Sequence, residues 1–369
     1  RGGNLNILGL FYLCLRDACR SDYDIILELG YVPCAIFFPF FRRRRAKLVT
    51  NMDGLEWKRS KWNFVLQRFA ELTEALGAKY SDALISDNLA IRRYLLDKYG
   101  RESHFIPYGA KLVSQPDVAD LAPYQLSPRR YHMLIARLEP ENSIETILDG
   151  YLRSGDTDAF LVVGKTDTRY GRFLMAKYQS QANIRLIGGV YDYDRLSSLR
   201  WHAKLYFHGH SVGGTNPSLV EAMASNALIA AHDNPFNRSV LEDNAFYFSS
   251  AADVADIIRS DTGASREAFV ARNREKVSRV YDWENIARQH LERLPAEPGD
   301  QRLGDGAGLR RGGREIHGQQ VALAFDREVA ATRRESDRAA RIAEDGEEDM
   351  RRGERRVAAQ IDLTDRREP

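Results

Sequence analysis

His208-Gly-His-Ser-Val-Gly-Gly-Thr-Asn-Pro-Ser-Leu-Val-Glu-Ala-Met-Ala224 decides the fold of this 369-residue chain. It reads as the end of a buried strand at Ala203 to Phe207, a glycine-bearing loop from Ser211 to Asn216, and then a helix. Pro217 stands where a first helical residue tolerates proline, and Thr215 or Asn216 can cap the amides that lack partners. Strand, glycine loop and helix start together aim backbone N–H groups and a positive dipole end at one point. Such a point suits an anion, most often a phosphate. Glu221 follows one turn into the helix among Leu219, Val220, Ala222 and Met223. A carboxylate there can accept hydrogen bonds from the vicinal hydroxyls of a sugar beside the phosphate. The same residues also suit an ordinary α/β turn, with Glu221 as an acid answering the dipole.

On either side of this stretch, short branched or aromatic runs alternate with helical spacing. Strands are expected at Tyr131 to Ala136, Ala159 to Val163, Ile184 to Ile187, Leu205 to His208, Leu228 to Ala231 and Ala245 to Phe248, with helices between them. An earlier series runs through Asp24 to Leu29, Lys47 to Asn51, Asp82 to Ser86 and His104 to Tyr108, with helices at Phe64 to Lys79 and Ile91 to Tyr99. Such β-α alternation describes parallel, doubly wound sheets. Lys111 to Arg129 has no clear period and holds Pro116, Pro123 and Pro128, so it reads as a linker between two domains. Ligands then sit in the cleft between facing carboxyl edges. The amphipathic segment from Tyr281 to Leu294 closes the second series.

Three loops carry candidate chemistry. Asp53-Gly-Leu-Glu-Trp-Lys-Arg-Ser-Lys-Trp62 packs acids, cations and aromatics after a strand. Asp53 and Glu56 are its candidate acids, and Lys58, Arg59 and Lys61 can attract phosphate; an amphipathic helix start capped by Asp53 fits as well. Arg137, after the strand ending at Ala136, can offer a planar fork to a diphosphate. Asp192 and Asp194 form an Asp-x-Asp pair, but they open a helix where acids suit the dipole, so no metal is assigned. His208 and His210 flank one glycine without further Cys or His nearby, and they read as pocket-lining residues rather than zinc ligands.

The run Val212-Gly-Gly-Thr-Asn-Pro-Ser218 before Glu221-Ala-Met-Ala224, together with Asp53-Gly-Leu-Glu-Trp-Lys-Arg59, resembles the rhamnosyltransferase-like branch of the bacterial retaining family-4 glycosyltransferases. The resemblance implies the GT-B fold: two Rossmann-like, doubly wound parallel-sheet domains facing across a cleft. It also implies a nucleotide-diphosphate sugar as donor and no metal or other cofactor. Glu221 would hold the donor's ribose, and the amides of Gly213, Gly214, Thr215 and Asn216 would meet its diphosphate. Val190 and Tyr191 would lie near the nucleobase. The general pattern has a second acid where Gly213 stands, eight positions before Glu221. It also has a diphosphate-binding lysine where Asn142 stands, after Arg137 and Glu141. Lys165, on the loop after the next strand, can restore that charge.

The domains expected are 1–110, an acceptor-side domain with its beginning missing, a linker at 111–129, and a donor-binding domain at 130–294. From 295 to 369 arginine stays frequent while lysine, tyrosine, tryptophan and cysteine vanish. That tail reads as disordered or unrelated, with a charged helix at Gln319 to Arg341 as its one candidate element. A formal net charge of +2 gives no global argument for nucleic acid, and none is expected as a partner. Cys14, Cys19 and Cys34 have neither a metal spacing nor an even number, Cys14 and Cys34 lie among apolar residues, and reduced thiols suit the cytoplasm. No apolar run is long enough to span a bilayer. Arg42, Arg43, Arg44 and Arg45 follow an aromatic segment and can dock on anionic headgroups, each contributing roughly 1 kcal/mol, or simply solvate a helix end.

The activity expected is transfer of a hexose, L-rhamnose, to a polysaccharide or lipid-linked oligosaccharide with retention. Asp53 is the candidate active-site acid, because it lies on the opposite domain's carboxyl edge. A nucleotide-sugar epimerase or hydrolase, or a non-catalytic sugar-nucleotide-binding fragment, are the alternatives.

Overall fold

The computed structural model describes residues 3–293, apart from Arg42, Arg44, Arg45, Ser60, Lys61 and Asp261, and two short stretches of the tail. The first sheet is parallel, in the order β1 (Ile25–Glu28), β2 (Lys47–Asn51), β3 (Ala83–Ser86), β4 (His104–Phe105). Its helices start where asparagine side chains replace missing backbone partners. Asn63 accepts from the Leu66 amide to open α2 (Phe64–Tyr80), and Asn88 accepts from the Ala90 amide to open α3 (Leu89–Tyr99). A helix not foreseen from the sequence, α1 (Gly3–Arg20), precedes β1.

The second sheet holds β5 (Tyr131–Ile135), β6 (Ala159–Val163), β7 (Ile184–Leu186), β8 (Leu205–His208), β9 (Ile229–His232) and β10 (Phe246–Phe248). All pairs are parallel, in the order β10-β9-β8-β5-β6-β7. Counted from β5, this is the 3-2-1-4-5-6 order of a Rossmann sheet, and its switch point lies between β5 and β8. Alternate residues of each strand feed two cores. Tyr131, Met133, Leu161 and Tyr206 meet α6 (Tyr193–His202), α7 (Pro217–Ala224) and α10 (Gly263–Val280) on one face. Leu134, Phe160, Val162 and Phe207 meet α4 (Ile144–Ser154), α5 (Arg169–Tyr178) and α9 (Ala251–Arg259) on the other. Both faces are therefore covered, which explains why the strands read as unbroken apolar runs.

The last long helix, α11 (Trp283–Arg293), returns to the first sheet, where Ile286 and Trp283 pack with Val49, Ile85 and Ile106. The closing helix thus crosses back to brace the first domain, as the family resemblance implies. The strand expected at His104 to Tyr108 is only the two residues of β4, and the aperiodic linker contains a 3-10 turn, Val118–Tyr124, anchored by buried Leu121. The cysteines are free, with Cys19 and Cys34 buried but Cys14 exposed rather than within the apolar interior. Among the described residues no helix is long and apolar enough to cross a membrane. Arg43 is tied to Asp82 at 2.6 Å, and its three neighbouring arginines lie outside the described residues. In the tail, β11 (Leu309–Arg311) and β12 (Arg314–Ile316) pair antiparallel; the segment at Gln319 to Arg341 lies outside the described residues.

Candidate active site in the interdomain groove

Every loop around the groove leaves the carboxyl end of a parallel strand. From the second domain come Arg137 and Asn142 after β5 and the segment from His210 to Pro217 after β8, joined by Phe236 and Asn237 at the start of α8 (Pro235–Leu241). From the first come Asp53 and Arg59 after β2 and Tyr108 after β4. Together they line a cavity of about 230 Å³.

The switch-point loops are locked together. A Cβ on Gly209 would sit 2.1 Å from the Asn142 carbonyl oxygen, so the β8 exit can pass the β5 loop only as glycine. Ser211 donates from its amide (3.2 Å) and hydroxyl (2.7 Å) to the Glu141 carbonyl. The Asn142 side-chain amide donates to the Arg137 carbonyl at 2.7 Å. Asn142, where a lysine was expected, thus shapes the loop that carries Arg137. The His210 carbonyl is held by the Asn234 and Asn237 side-chain amides at 3.0 and 3.1 Å.

Pro217 begins α7, and the cap is Asn216, whose Oδ1 accepts from the Ser218 amide at 3.0 Å. Thr215 does not share that task. Its amide donates to Asp87 Oδ2 at 2.9 Å and its hydroxyl to the Asp87 carbonyl. The amide expected to face a diphosphate is therefore already held by a carboxylate of the first domain. Gly213 has φ +140°, a conformation that a side-chained residue adopts only under strain. This explains why the acid of the general pattern is missing there.

The groove's charges follow from its neighbours. Arg59 is shared between Glu56 (2.7 Å) and Glu141 (3.2 Å), so an ion pair crosses the cleft. Among the described residues no ion pair holds the Arg137 guanidinium. Burial, with help from Arg137 and Arg59, pulls the His210 imidazole down to about 4, so the ring is neutral at neutral pH. Burial raises the Asp53 carboxyl, and nearby Glu56 adds to the rise, against the opposing effects of Arg59 and a hydrogen bond from Tyr108. Asp87 is raised further, by burial first and then by the Asp53 charge.

Of the residues singled out from the sequence, Asp53, Arg137, Gly213, Gly214, Thr215 and Asn216 meet at this cavity. Lys165 is exposed on the loop after β6 and is not among the lining residues; the second cation in the groove is Arg59, from the opposite domain. Val190 packs against the second-domain core, and Tyr191 is 71% exposed. Glu221 is neither sealed in the core nor on the cavity wall. It is 22% exposed on α7 and bonded to Arg200. Asp192 caps α6 by accepting from the Arg195 amide, which accounts for the Asp-x-Asp pair locally.

Sequence reading missed Asp87 and Asn88. Asn88 donates to Thr215 Oγ1 and the Phe236 carbonyl and accepts from Ser239, fastening the first domain to α8. An acid directly after a strand, on a sheet's carboxyl edge, was the available signal.

Residues 144–292 match the family model described as "Glycosyl transferase-like", and residues 30–111 match a "Domain of unknown function (DUF1972)". A comparison with curated proteins finds no match. Among solved structures the chain is similar to sucrose-phosphate synthase from Thermosynechococcus elongatus, at TM-score 0.67 and 17% identity over 79% of this chain and 78% of that one. Anabaena HepE, solved with UDP and glucose, is similar at TM-score 0.64 and 15% identity over 79% and 82% of the two chains. TarM is similar at 0.61 and 17% identity, with 77% of this chain covering 57% of that one. The protein has the GT-B fold, and its residues 144–292 match the model of a glycosyl transferase-like family.

Proposed function

We propose that this chain transfers a hexose, L-rhamnose, from a nucleotide-diphosphate donor to a polysaccharide or lipid-linked oligosaccharide, with retention. The observation that carries the reading is the groove itself. One cavity gathers the α7 N-terminal loop, Arg137 and Arg59, and faces Asp53 across the cleft. The UDP and glucose in the HepE structure support a nucleotide-sugar donor. The family-4 placement and the choice of rhamnose rest on the two motifs at Asp53 to Trp62 and Val212 to Ala224.

In this scheme the acceptor hydroxyl oxygen bonds to the anomeric carbon as the bond from that carbon to the diphosphate oxygen breaks. The electron pair leaves with the diphosphate, whose departing oxygen, on the same face of the sugar, takes the acceptor hydroxyl's proton. Arg137 and the positive end of α7 stabilise the charge that develops there, in a site partly screened from water. Fixed cation and dipole stand where a metal would otherwise be needed, which supports a metal-independent reaction. Neutral His210 can donate a hydrogen bond without adding charge. Asp53 is our assignment for the active-site acid on the acceptor side, where its carboxyl orients the acceptor hydroxyl by a hydrogen bond rather than taking its proton. Glu221 is assigned to the donor's ribose, with Val190 and Tyr191 beside its base and Lys165 at its periphery. The three free cysteines support a cytoplasmic site of action, and a lipid-linked acceptor would place it at the inner membrane face.

Incubation with dTDP-rhamnose, UDP-hexoses or GDP-hexoses and a lipid-diphosphate sugar tests this directly. Sugar transfer with retained anomeric configuration is the expected result. Free nucleotide without transfer would favour a hydrolase or epimerase, and binding alone a non-catalytic protein.

A further inference from the structure

Arg200 is the largest fully buried side chain among the described residues. It projects from the last turn of α6 beside the core that holds Leu199, Ala203, Leu219 and Val220, with the Tyr206 hydroxyl and the His208 ring near it. Its Nη2 donates to Glu221 Oε2 at 2.6 Å, while Nε and Nη1 are buried without partners. A guanidinium with one ion pair and the Tyr206 hydroxyl for company is still a costly occupant of such a place, and an apolar residue of similar volume is commonly as stable or more so. The cation therefore needs a reason other than folding.

Glu221 supplies one. Arg200 is 1% exposed and Glu221 22% exposed, so the pair runs from the interior toward the surface of α7. Among the described residues only Oε2 has a hydrogen-bond partner. A glutamate carboxylate, free to turn about its side-chain torsions, would otherwise sample several rotamers. Pinned at one oxygen, it presents the other in a fixed direction with both lone pairs available.

We propose that Arg200 is a positioning residue for donor recognition: it holds Glu221 through Oε2 so that Oε1 is preset for the vicinal hydroxyls of the donor's pentose. The proposal rests on the reading of Glu221 as the pentose-binding carboxylate. It adds a residue that touches no substrate yet sets how tightly the nucleotide is held.

The test is calorimetric titration of UDP, dTDP and GDP into the wild-type chain and into Arg200→Met, Arg200→Lys, Glu221→Gln and the Arg200→Met/Glu221→Gln double variant, each with a thermal melt. Arg200→Met is expected to melt at or above the wild-type temperature. It should nevertheless weaken the preferred nucleotide by roughly ten- to a hundredfold, the scale known for partners that orient metal ligands. Arg200→Lys should recover part of the affinity, and the double variant should bind no worse than Glu221→Gln alone. Wild-type affinity in a folded Arg200→Met would overturn the proposal, as would an Arg200→Lys that binds no better than Arg200→Met, or losses that simply add in the double variant. If the wild-type chain binds none of the three nucleotides, the donor reading fails and the proposal with it. If Glu221→Gln binds like wild type while the wild-type chain binds well, only the pentose assignment and the role of Arg200 fail.

Discussion

Arg137→Ala is expected to lower kcat by roughly 10²- to 10³-fold while moving the donor KM much less, the scale for removing one fixed group that meets charge developing in a transition state. The asymmetry follows from the groove's two cations. Arg59 already answers Glu56 and Glu141, so its field is largely satisfied before any donor arrives. Arg137 has no such ion pair among the described residues. Its loop is held by the Asn142 amide and by Ser211, so the guanidinium starts from a fixed stem. Arg137→Lys keeps the charge but loses the planar fork and should recover only part of the rate. Steady-state kinetics with the donor found in the transfer assay checks both variants, and an unchanged kcat in Arg137→Ala would remove this residue from the chemistry.

Gly209→Ala is expected to be the most damaging single methyl in the second domain. Its Cβ would meet the Asn142 carbonyl oxygen at 2.1 Å and Ile147 Cδ1 at 2.9 Å. The first obstacle is backbone, so no rotamer change relieves it. Parting the β5 and β8 exits would also break the two hydrogen bonds from Ser211 to Glu141. Overpacking of this kind costs about 3 kcal/mol, which a domain of this size shows as a melting temperature lower by roughly 6–12 °C. Because the same loops carry Arg137 and His210, whatever fraction folds should also bind nucleotide poorly. A melt within a degree or two of wild type would mean that the switch point is looser than this packing implies.

Much of the architecture was legible because strands buried on both faces cannot hide their composition. Tyr131 to Ile135 and Ala159 to Val163 read as strands for the same reason that they pack, since successive residues enter opposite cores. Asn216 and Pro217 announced the start of α7 through local chemistry, and the structure places both there. What stayed hidden depends on partners distant in sequence. Asn88 looks like an ordinary helix cap, and it is one, but its links to Thr215 and Ser239 exist only once the two domains meet. The same meeting puts Asp87 on the Thr215 amide, so a loop that looked open to an anion is partly occupied. Arg200, in a last helical turn, reads as a cation answering the dipole, and only its burial shows that its charge is directed at Glu221. Lys165 differs from these: the structure leaves it outside the cavity lining. Proximity in strand order suggested a place in the groove, yet the loop after β6 leaves it exposed, and the first domain supplies Arg59 instead.

The account stands on the donor's diphosphate and pentose being held by the segment from Gly213 to Glu221. A crystal structure with the tightest-binding nucleoside diphosphate measures this most directly. The expected result has the phosphates between Arg137 and the α7 N-terminus, with the pentose hydroxyls on Glu221 while its other oxygen remains on Arg200. A nucleotide bound away from the groove, or one in the groove whose pentose makes no contact with Glu221, would contradict it.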